Sequence, residues 1–264
     1  MATAPQPQIR HEIPEESFPV LPPTDLPYDD GIPLETNWHR LAMNLLLEII
    51  AHHFRDRVDY YASGNMFLYY SLEQIKSQDF RGPDFFFVWD VDLLKERKYW
   101  AIWDEDGKYP DVIIELMSDS TKKIDRVIKK EIYSKTFRTS EYFIYDPATD
   151  TLEGWRITPN IEYEPIPANE KGWLWCNKLK LWLGSTQSSY LGHAGIYPRF
   201  FDEQGNLVPI FGEYEKQRAD AETQRADTET QRADAEAKRA QAAEEELARL
   251  QAKLAELEKE KPDK

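Results

Sequence analysis

The sequence is poor in cysteine and has no long apolar run. Its single thiol, Cys176, cannot form a disulfide within the chain, and no second cysteine or histidine cluster accompanies it as a zinc ligand. No stretch approaches the roughly 18 consecutive apolar residues of a membrane-spanning helix, and no apolar run follows a basic N-terminus. We therefore expect Cys176 to be a small core residue of a cytoplasmic protein that has no membrane partner.

Basic charge is also scarce. The formal net charge is −15 over 264 residues. Residues 213–264 contain 11 basic and 15 acidic side chains, a net charge of −4, which leaves −11 for the residues before them. A nucleic-acid binder usually presents a basic patch, so this balance argues against tight nonspecific binding to DNA. An acidic cluster is, however, what a site for a hard divalent cation needs.

Composition divides the chain into three segments. Residues 1–33 contain eight prolines and show neither helical nor strand periodicity, which predicts an arm that is laid on the domain or is partly disordered. Residues 34–212 alternate apolar runs with turns, and an aromatic content of 13% predicts that the chain folds. Residues 213–264 are predicted to form a charged helical coiled-coil tail.

The middle segment predicts an α/β (α+β) fold. A helix that starts near residues 35–37, capped by Thr36 or Asn37, and runs to about residue 53 has one apolar face. Short apolar runs at 58–61, 66–70, 85–91, 99–103 and 112–117 predict strands, and an Asp-Gly turn signal within 104–108 predicts that the last two pair antiparallel. A helix over 122–137 and a hairpin of strands at 141–145 and 152–157 follow.

The tail has a seven-residue repeat that begins at Gln217. Self-association through residues 217–258 is favoured, mainly toward the end of the helix, whereas the alternative is an isolated charged helix held by pairs four residues apart. In a coiled coil, two positions of each seven-residue repeat form the seam that faces the partner helix. The first of these positions is apolar throughout the tail, and the second is acidic in the first half of the helix and apolar in the second half. These positions are Ala219, Ala226, Ala233, Ala240, Leu247 and Leu254, then Glu222, Glu229, Glu236, Ala243, Leu250 and Leu257.

Two carboxylates lie within strongly apolar strands. Asp84 directly precedes the run 85–88, and Glu115 lies inside the run 112–117. An unpaired buried carboxylate costs on the order of several kcal/mol, so each needs a cation, a metal ion or a proton. Asp111 shares a strand face with Glu115 but lies roughly 13 Å away at about 3.3 Å per residue, too far to share an ion directly, and is a secondary candidate.

The helix that follows offers a possible third side of the site. Asp125, Lys129 and Tyr133 lie four residues apart and share one helical face, which can return over the carboxylates. A solvated Asp125–Lys129 pair explains the same spacing, and spacing alone favours it. Asp125, like Asp111, is a secondary candidate for the site. His39 is expected at the helix surface, and the tryptophans are expected to pack in the core.

An ordered set of these residues resembles the Uma2 family of restriction-endonuclease-like proteins, most strongly its cyanobacterial members. The resemblance covers about residues 34–212. It is carried by residues 82–84, 103–108, 110–115 and 141–147, with Ser118, Ser120, Thr121, Asp125, Lys129 and Tyr133.

Membership implies the PD-(D/E)XK nuclease fold, a mixed sheet flanked by helices. It also implies that Asp84 and Glu115 ligate Mg²⁺ or Mn²⁺ and that DNA is the substrate of an endonuclease. The general pattern has a lysine two residues after the glutamate, where this chain has Met117, and the resemblance makes Lys129 its replacement. A noncatalytic interaction protein that oligomerises through its C-terminal helix is the alternative.

Overall fold

The computed structural model describes residues 26–27, 36–71, 74, 82–118 and 124–259, with side chains up to residue 254. The chain forms two compact units, residues 1–208 and residues 209–264. Apart from Leu26, Pro27 and the cap Thr36, the first 36 residues lie outside the described part, as does the start of the helix predicted at residue 122. Within the described part, no helix is both long and apolar enough to cross a membrane.

Three α-helices and eleven strands are described in the chain. A 3₁₀ turn, Ile102–Asp104, follows β4, and a π-helix, Ile124–Lys129, leads directly into α2. The helices are α1 Asn37–His53, α2 Lys130–Lys135 and α3 Phe211–Lys259. The strands are β1 Tyr60–Ser63, β2 Leu68–Tyr69, β3 Phe85–Trp89, β4 Trp100–Ala101, β5 Val112–Leu116, β6 Glu141–Asp146, β7 Thr151–Ile157, β8 Tyr163–Pro165, β9 Leu174–Cys176, β10 Leu181–Tyr190 and β11 His193–Phe201.

Helix α1 forms where the sequence predicts it. The hydroxyl of Thr36 accepts a hydrogen bond from the backbone N–H of His39 at 3.2 Å, so Thr36 is the N-cap. The apolar residues predicted to share a face are buried, among them Leu41, Leu45 and Ile49. Burial of this stripe stabilises α1, because an isolated helix of this length is marginal in water.

A six-stranded mixed sheet runs in the order β1-β3-β5-β6-β7-β8. Only β5 and β6 pair in parallel within it, while β6 and β7 form the predicted antiparallel hairpin. A separate sheet of β9, β10 and β11 follows in the same unit. The predicted fold class is confirmed: a mixed sheet flanked by helices, followed by a long C-terminal helix.

One predicted strand pairing is wrong. The strand predicted at 99–103 does not pair with β5; its remnant, β4, pairs in parallel with β2. The 3₁₀ turn ends β4, since the N–H groups of Glu105 and Gly107 both donate to the carbonyl of Ile102. Both edges of β5 are already taken, by β3 on one side and by β6 on the other, so no edge is left for a third partner.

The main core lies between the sheet and the helix that carries Lys129. Its members include Ile113 and Met117 of the β5 region, Tyr133 and Phe137 of the α2 region, and Tyr142 of β6. Cys176 is buried, as predicted for a small core residue. This packing fixes the π-helix and α2 over the strand that carries Glu115.

Candidate metal and catalytic site

Asp84 and Glu115 lie side by side because two strands are antiparallel neighbours. The register of β3 and β5 sets Phe85 opposite Ile114, so the residue before β3 lies beside the fourth residue of β5. The N–H of Leu116 donates to Asp84 Oδ2 at 2.8 Å, and the N–H of Asp84 points to Glu115 Oε2 at 3.4 Å. The two carboxylates therefore form one site, although 31 residues separate them in the sequence.

Lys129 completes the group from the helix above. Its Nζ lies 3.0 Å from Glu115 Oε1 and 2.9 Å from Asp125 Oδ1. The Lys129 side chain is 18% exposed, whereas those of Glu115 and Asp125 are 1% exposed. The interpretation of Asp125 and Lys129 as a solvated surface pair is therefore wrong. The helical face predicted from their spacing is turned inward, onto the strand.

Tyr133 supports the site from the next turn. Its hydroxyl donates a hydrogen bond of 2.8 Å to Glu115 Oε1, and the side chain is fully buried. This bond fixes the orientation of the Glu115 carboxylate, because both χ rotations of a buried, packed tyrosine are restricted. Sequence spacing placed Tyr133 on the correct face but did not reveal this role.

The charges in this cluster are unbalanced. Among the described residues, three carboxylates (Asp84, Glu115 and Asp125) share one ammonium group, that of Lys129. Burial is the main reason that the pKa of Glu115 is raised from 4.5 to about 8, and the neighbouring Asp84 and Asp125 add to the rise. Burial likewise raises the pKa of Asp84 from 3.8 to about 6. Burial opposes the charged form of Lys129, yet the three carboxylates prevail and raise its pKa above 10.5.

The oxygen-rich donor set fits a hard divalent cation. Asp125 Oδ1 is buried and, although it lies at ion-pair distance from Lys129, it has no hydrogen bond of acceptable geometry in the described part of the chain. That atom therefore retains unused acceptor capacity. Within the described ranges, no group of three or more His, Cys, Asp or Glu side chains is arranged so that it alone could hold a metal ion. Mg²⁺ needs only one or two carboxylates, with water and phosphate as its other ligands.

The structure does not bring Asp111, a secondary candidate, into this site. Its Oδ2 accepts a 2.9 Å hydrogen bond from the N–H of Trp89, and its Oδ1 lies 2.7 Å from Lys178 Nζ. Asp111 thus connects the end of β3, through Trp89, to the loop before β10, through Lys178. Asp125, the other secondary candidate, does lie in the site, next to Lys129.

Met117, two residues after Glu115, is part of the apolar core and only 1% exposed. An ammonium group at that position would be surrounded by Tyr133 and other core side chains, with a large desolvation cost. Lys129 instead brings its charge to Glu115 from the neighbouring helix. Lys129 can thus supply the positive charge that the general pattern takes from a lysine two residues after the glutamate, where this chain has Met117.

His39 differs from its predicted position at the helix surface. It is buried, and its Nε2 lies 2.9 Å from the carbonyl oxygen of Leu116, while Nδ1 lies 2.9 Å from the hydroxyl of Thr36. A neutral ring that donates from Nε2 satisfies both contacts. The signal was present in the sequence, since His39 precedes Ala42 and Leu46 by three and seven residues and so lies on the apolar face.

A mixed sheet with paired carboxylates on adjacent strands and a lysine from the flanking helix has the arrangement expected of a restriction-endonuclease-like domain. The model of the Uma2 family, described as "Putative restriction endonuclease", matches residues 16–182. The match spans more than half of the chain and includes every residue of the site. The protein belongs to the Uma2 family.

A solved structure from Anabaena variabilis ATCC 29413, described as a "putative nuclease belonging to DUF820", is 16% identical in sequence. The match covers 60% of this chain and 86% of that chain, with a TM-score of 0.41. No curated protein sequence matches the chain.

Proposed function

We propose that the protein is a Mg²⁺- or Mn²⁺-dependent endonuclease that hydrolyses phosphodiester bonds of DNA in the cytoplasm. The observation that carries the proposal is the convergence of Asp84, Glu115 and Lys129 from two strands and a helix into one buried, acidic site. Membership of a family described as "Putative restriction endonuclease" supports nucleic acid as the substrate.

The carboxylates of Asp84 and Glu115 would hold the cation, and Asp125 is near enough to Lys129 to hold that side chain in place. The cation would supply Lewis acidity at the scissile phosphate and lower the pKa of a bound water. Tyr133 keeps Glu115 oriented through its 2.8 Å hydrogen bond. These residues come from the rigid sheet and its covering helix, which favours precise placement of a phosphate.

Lys129 is suited to stabilise negative charge and poorly suited to act as a general base. A lysine that abstracts a proton must first lose its own, and in the metal-free protein the neighbouring carboxylates raise the pKa of Lys129 and oppose that loss. A charged ammonium group beside the two ligands can instead stabilise the phosphorane-like transition state. We therefore assign Lys129 an electrostatic role.

The test is nicking of a supercoiled plasmid in the presence of Mn²⁺. We expect wild-type protein to nick and both Asp84→Asn and Glu115→Gln to lose the activity. Asp111→Asn is the matched control, because Asp111 is an acidic residue next to the same strand whose contacts lie outside the site. Nicking by Asp84→Asn at the wild-type rate would refute the assignment, as would equal binding of Mn²⁺ by wild type and Glu115→Gln in a calorimetric titration.

A second function is favoured by different observations. The net charge of −15 opposes tight contact with DNA, and α3 leaves Leu247, Leu250 and Leu254 exposed. These features support a noncatalytic protein that oligomerises through residues 217–258. A protein of that kind would form oligomers of 31.0 kDa subunits in sedimentation but would show no nicking at any divalent-metal concentration.

A further inference from the structure

Helix α3 carries a coiled-coil seam whose described side chains are exposed. Every described side chain from residue 216 to residue 254 is exposed. The leucines of the seam are 58%, 53% and 59% exposed at Leu247, Leu250 and Leu254. Three large apolar side chains at coiled-coil spacing on one helix indicate a partner helix.

The seam is narrow, which fits one partner helix. The positions that flank it are polar or charged except Ala237, for example Thr223, Arg225, Thr230 and Arg232. A stripe confined to the two seam positions of each heptad is typical of a two-stranded coiled coil, whereas larger bundles need a wider apolar face.

The distribution of glutamate and leucine along the seam favours a parallel partner of identical sequence. In a parallel, in-register pair, each leucine meets the same leucine of the other copy, and the three glutamate layers fall together in the first half of the helix. In an antiparallel pair over the same residues, Glu222 would face Leu254 and Glu229 would face Leu247. That arrangement buries carboxylates against leucines and leaves no layer in which two leucines meet.

Charge along the flanks also fits the parallel pair. Arg239 and Glu244 are separated by five residues, the separation at which flanking positions of two parallel helices meet. An antiparallel overlap of the leucine ends alone would also bring leucines together. It would leave Ala219, Ala226 and Ala233 without partners, whereas the parallel pair includes them.

We propose that two copies of this chain pair through α3 as a parallel, in-register coiled coil, closed most tightly at Leu247, Leu250 and Leu254. Because the two helices of a parallel pair begin at the same end, the residues that precede α3 in both copies join the coiled coil at that end. The proposal does not depend on the metal site, and it holds whether or not the protein cuts DNA.

The test is disulfide cross-linking of the full-length chain. Ala233→Cys places a thiol in the seam, and Gln231→Cys places one on the opposite face two residues away as a matched control. Both positions are exposed on the helix, so neither change disturbs the globular unit. The native Cys176 is buried and adds no background. In a parallel pair of the Ala233→Cys variant, the two introduced thiols face each other, within the roughly 4.4–6.8 Å between Cα atoms that a disulfide requires.

We expect mild oxidation to convert Ala233→Cys to a covalent dimer at least about tenfold faster than Gln231→Cys, and we expect sedimentation of the wild-type chain to give twice 31.0 kDa. An equimolar mixture of Ala233→Cys and Ala243→Cys that forms only the mixed dimer would show an antiparallel pair and overturn the orientation. The orientation would also be overturned if sedimentation gave a dimer but neither Ala233→Cys alone nor its mixture with Ala243→Cys formed a disulfide. A monomer, or a mass of three copies, would overturn the pairing itself.

Discussion

Replacing Glu115 by glutamine should stabilise the metal-free protein at pH 8. The change keeps the side-chain shape and an oxygen that can accept the Tyr133 hydroxyl, but it removes one of three negative charges from a buried cluster with a single ammonium group. Removing a partner from an isolated buried ion pair destabilises a protein. Here Lys129 retains its ion pair with Asp125, in which the two charged atoms lie 2.9 Å apart. The substitution therefore reduces an excess of negative charge and does not leave the lysine unpaired.

The magnitude follows from the pKa of Glu115, which rises from 4.5 in the unfolded chain to about 8 in the folded protein. The folded state therefore binds more protons than the unfolded state between these pH values, so stability falls as pH rises through this window. At about 1.36 kcal/mol per unit, the loss approaches about 5 kcal/mol at pH 8 and vanishes below about pH 4.5. Glu115→Gln should recover most of it at pH 8 and have little effect at pH 5.

Urea unfolding followed by tryptophan fluorescence measures this effect without interference from the tail. All 8 tryptophans lie between residues 38 and 182, so the signal reports only on residues 1–208. The measurement is made with a chelator at pH 5 and pH 8. Glu131→Gln is the control, since Glu131 is exposed and its ion pair in the described part of the chain, with Lys135, lies at the surface; the stability of this variant should equal that of the wild type within error.

Mg²⁺ should narrow the difference in stability between the two proteins at pH 8. If Asp84 and Glu115 hold the ion, a concentration about 100 times the Kd stabilises the wild type by about 2.7 kcal/mol and leaves Glu115→Gln nearly unchanged. The reasoning is refuted if Glu115→Gln is less stable than the wild type at pH 8 without metal. That result would mean that the contact with Lys129 outweighs the desolvation of Glu115.

Three other substitutions test the packing of the site and of the sheets by urea unfolding. Lys129→Met leaves the buried carboxylates without an ammonium group and should cost about 3 kcal/mol at pH 8 and less at pH 5; an equal loss at both pH values would contradict the charge argument. Glu141→Gln weakens a buried carboxylate that accepts hydrogen bonds from Arg156 and from two backbone N–H groups, and should cost about 3 kcal/mol, with exposed Glu164→Gln as the neutral control. Gly184→Ala sets a Cβ against Trp173 Cδ1, closer than van der Waals contact allows, and should cost about 1–3 kcal/mol, whereas Gly212→Ala meets open space. Equal stability of the two variants would contradict the close contact.

Local features were predictable because they depend on neighbouring residues. The cap at Thr36 and the buried stripe of α1 follow from side-chain chemistry and from a period of 3.6. Strand partners were less predictable, because alternation identifies a strand but not its neighbour. The pairing of β4 depended on whether an edge of β5 was free, and that was decided by β3 and β6, which are distant in the sequence.

The site shows the same division. An acidic residue inside an apolar strand is visible in the sequence, and strand geometry correctly separated Asp111 from Glu115. The depth of Lys129 was not visible, because residues four apart share a helical face whether that face is buried or solvated. The π-helix, Ile124–Lys129, was also hidden, since wider turns leave no distinct pattern in a short helix.

The acidity of the chain is better judged at the site than over the whole molecule. Three carboxylates and one ammonium group give the cluster a net charge of −2 when all are ionised, which equals in size the charge of one divalent cation. The raised pKa values of Asp84 and Glu115 mean that, without a cation, the fold opposes this charge. A bound divalent ion would remove that opposition and place positive charge where a phosphate must approach. The −15 overall charge therefore limits nonspecific attraction to DNA, while the local balance supports the metal-dependent reaction that we propose.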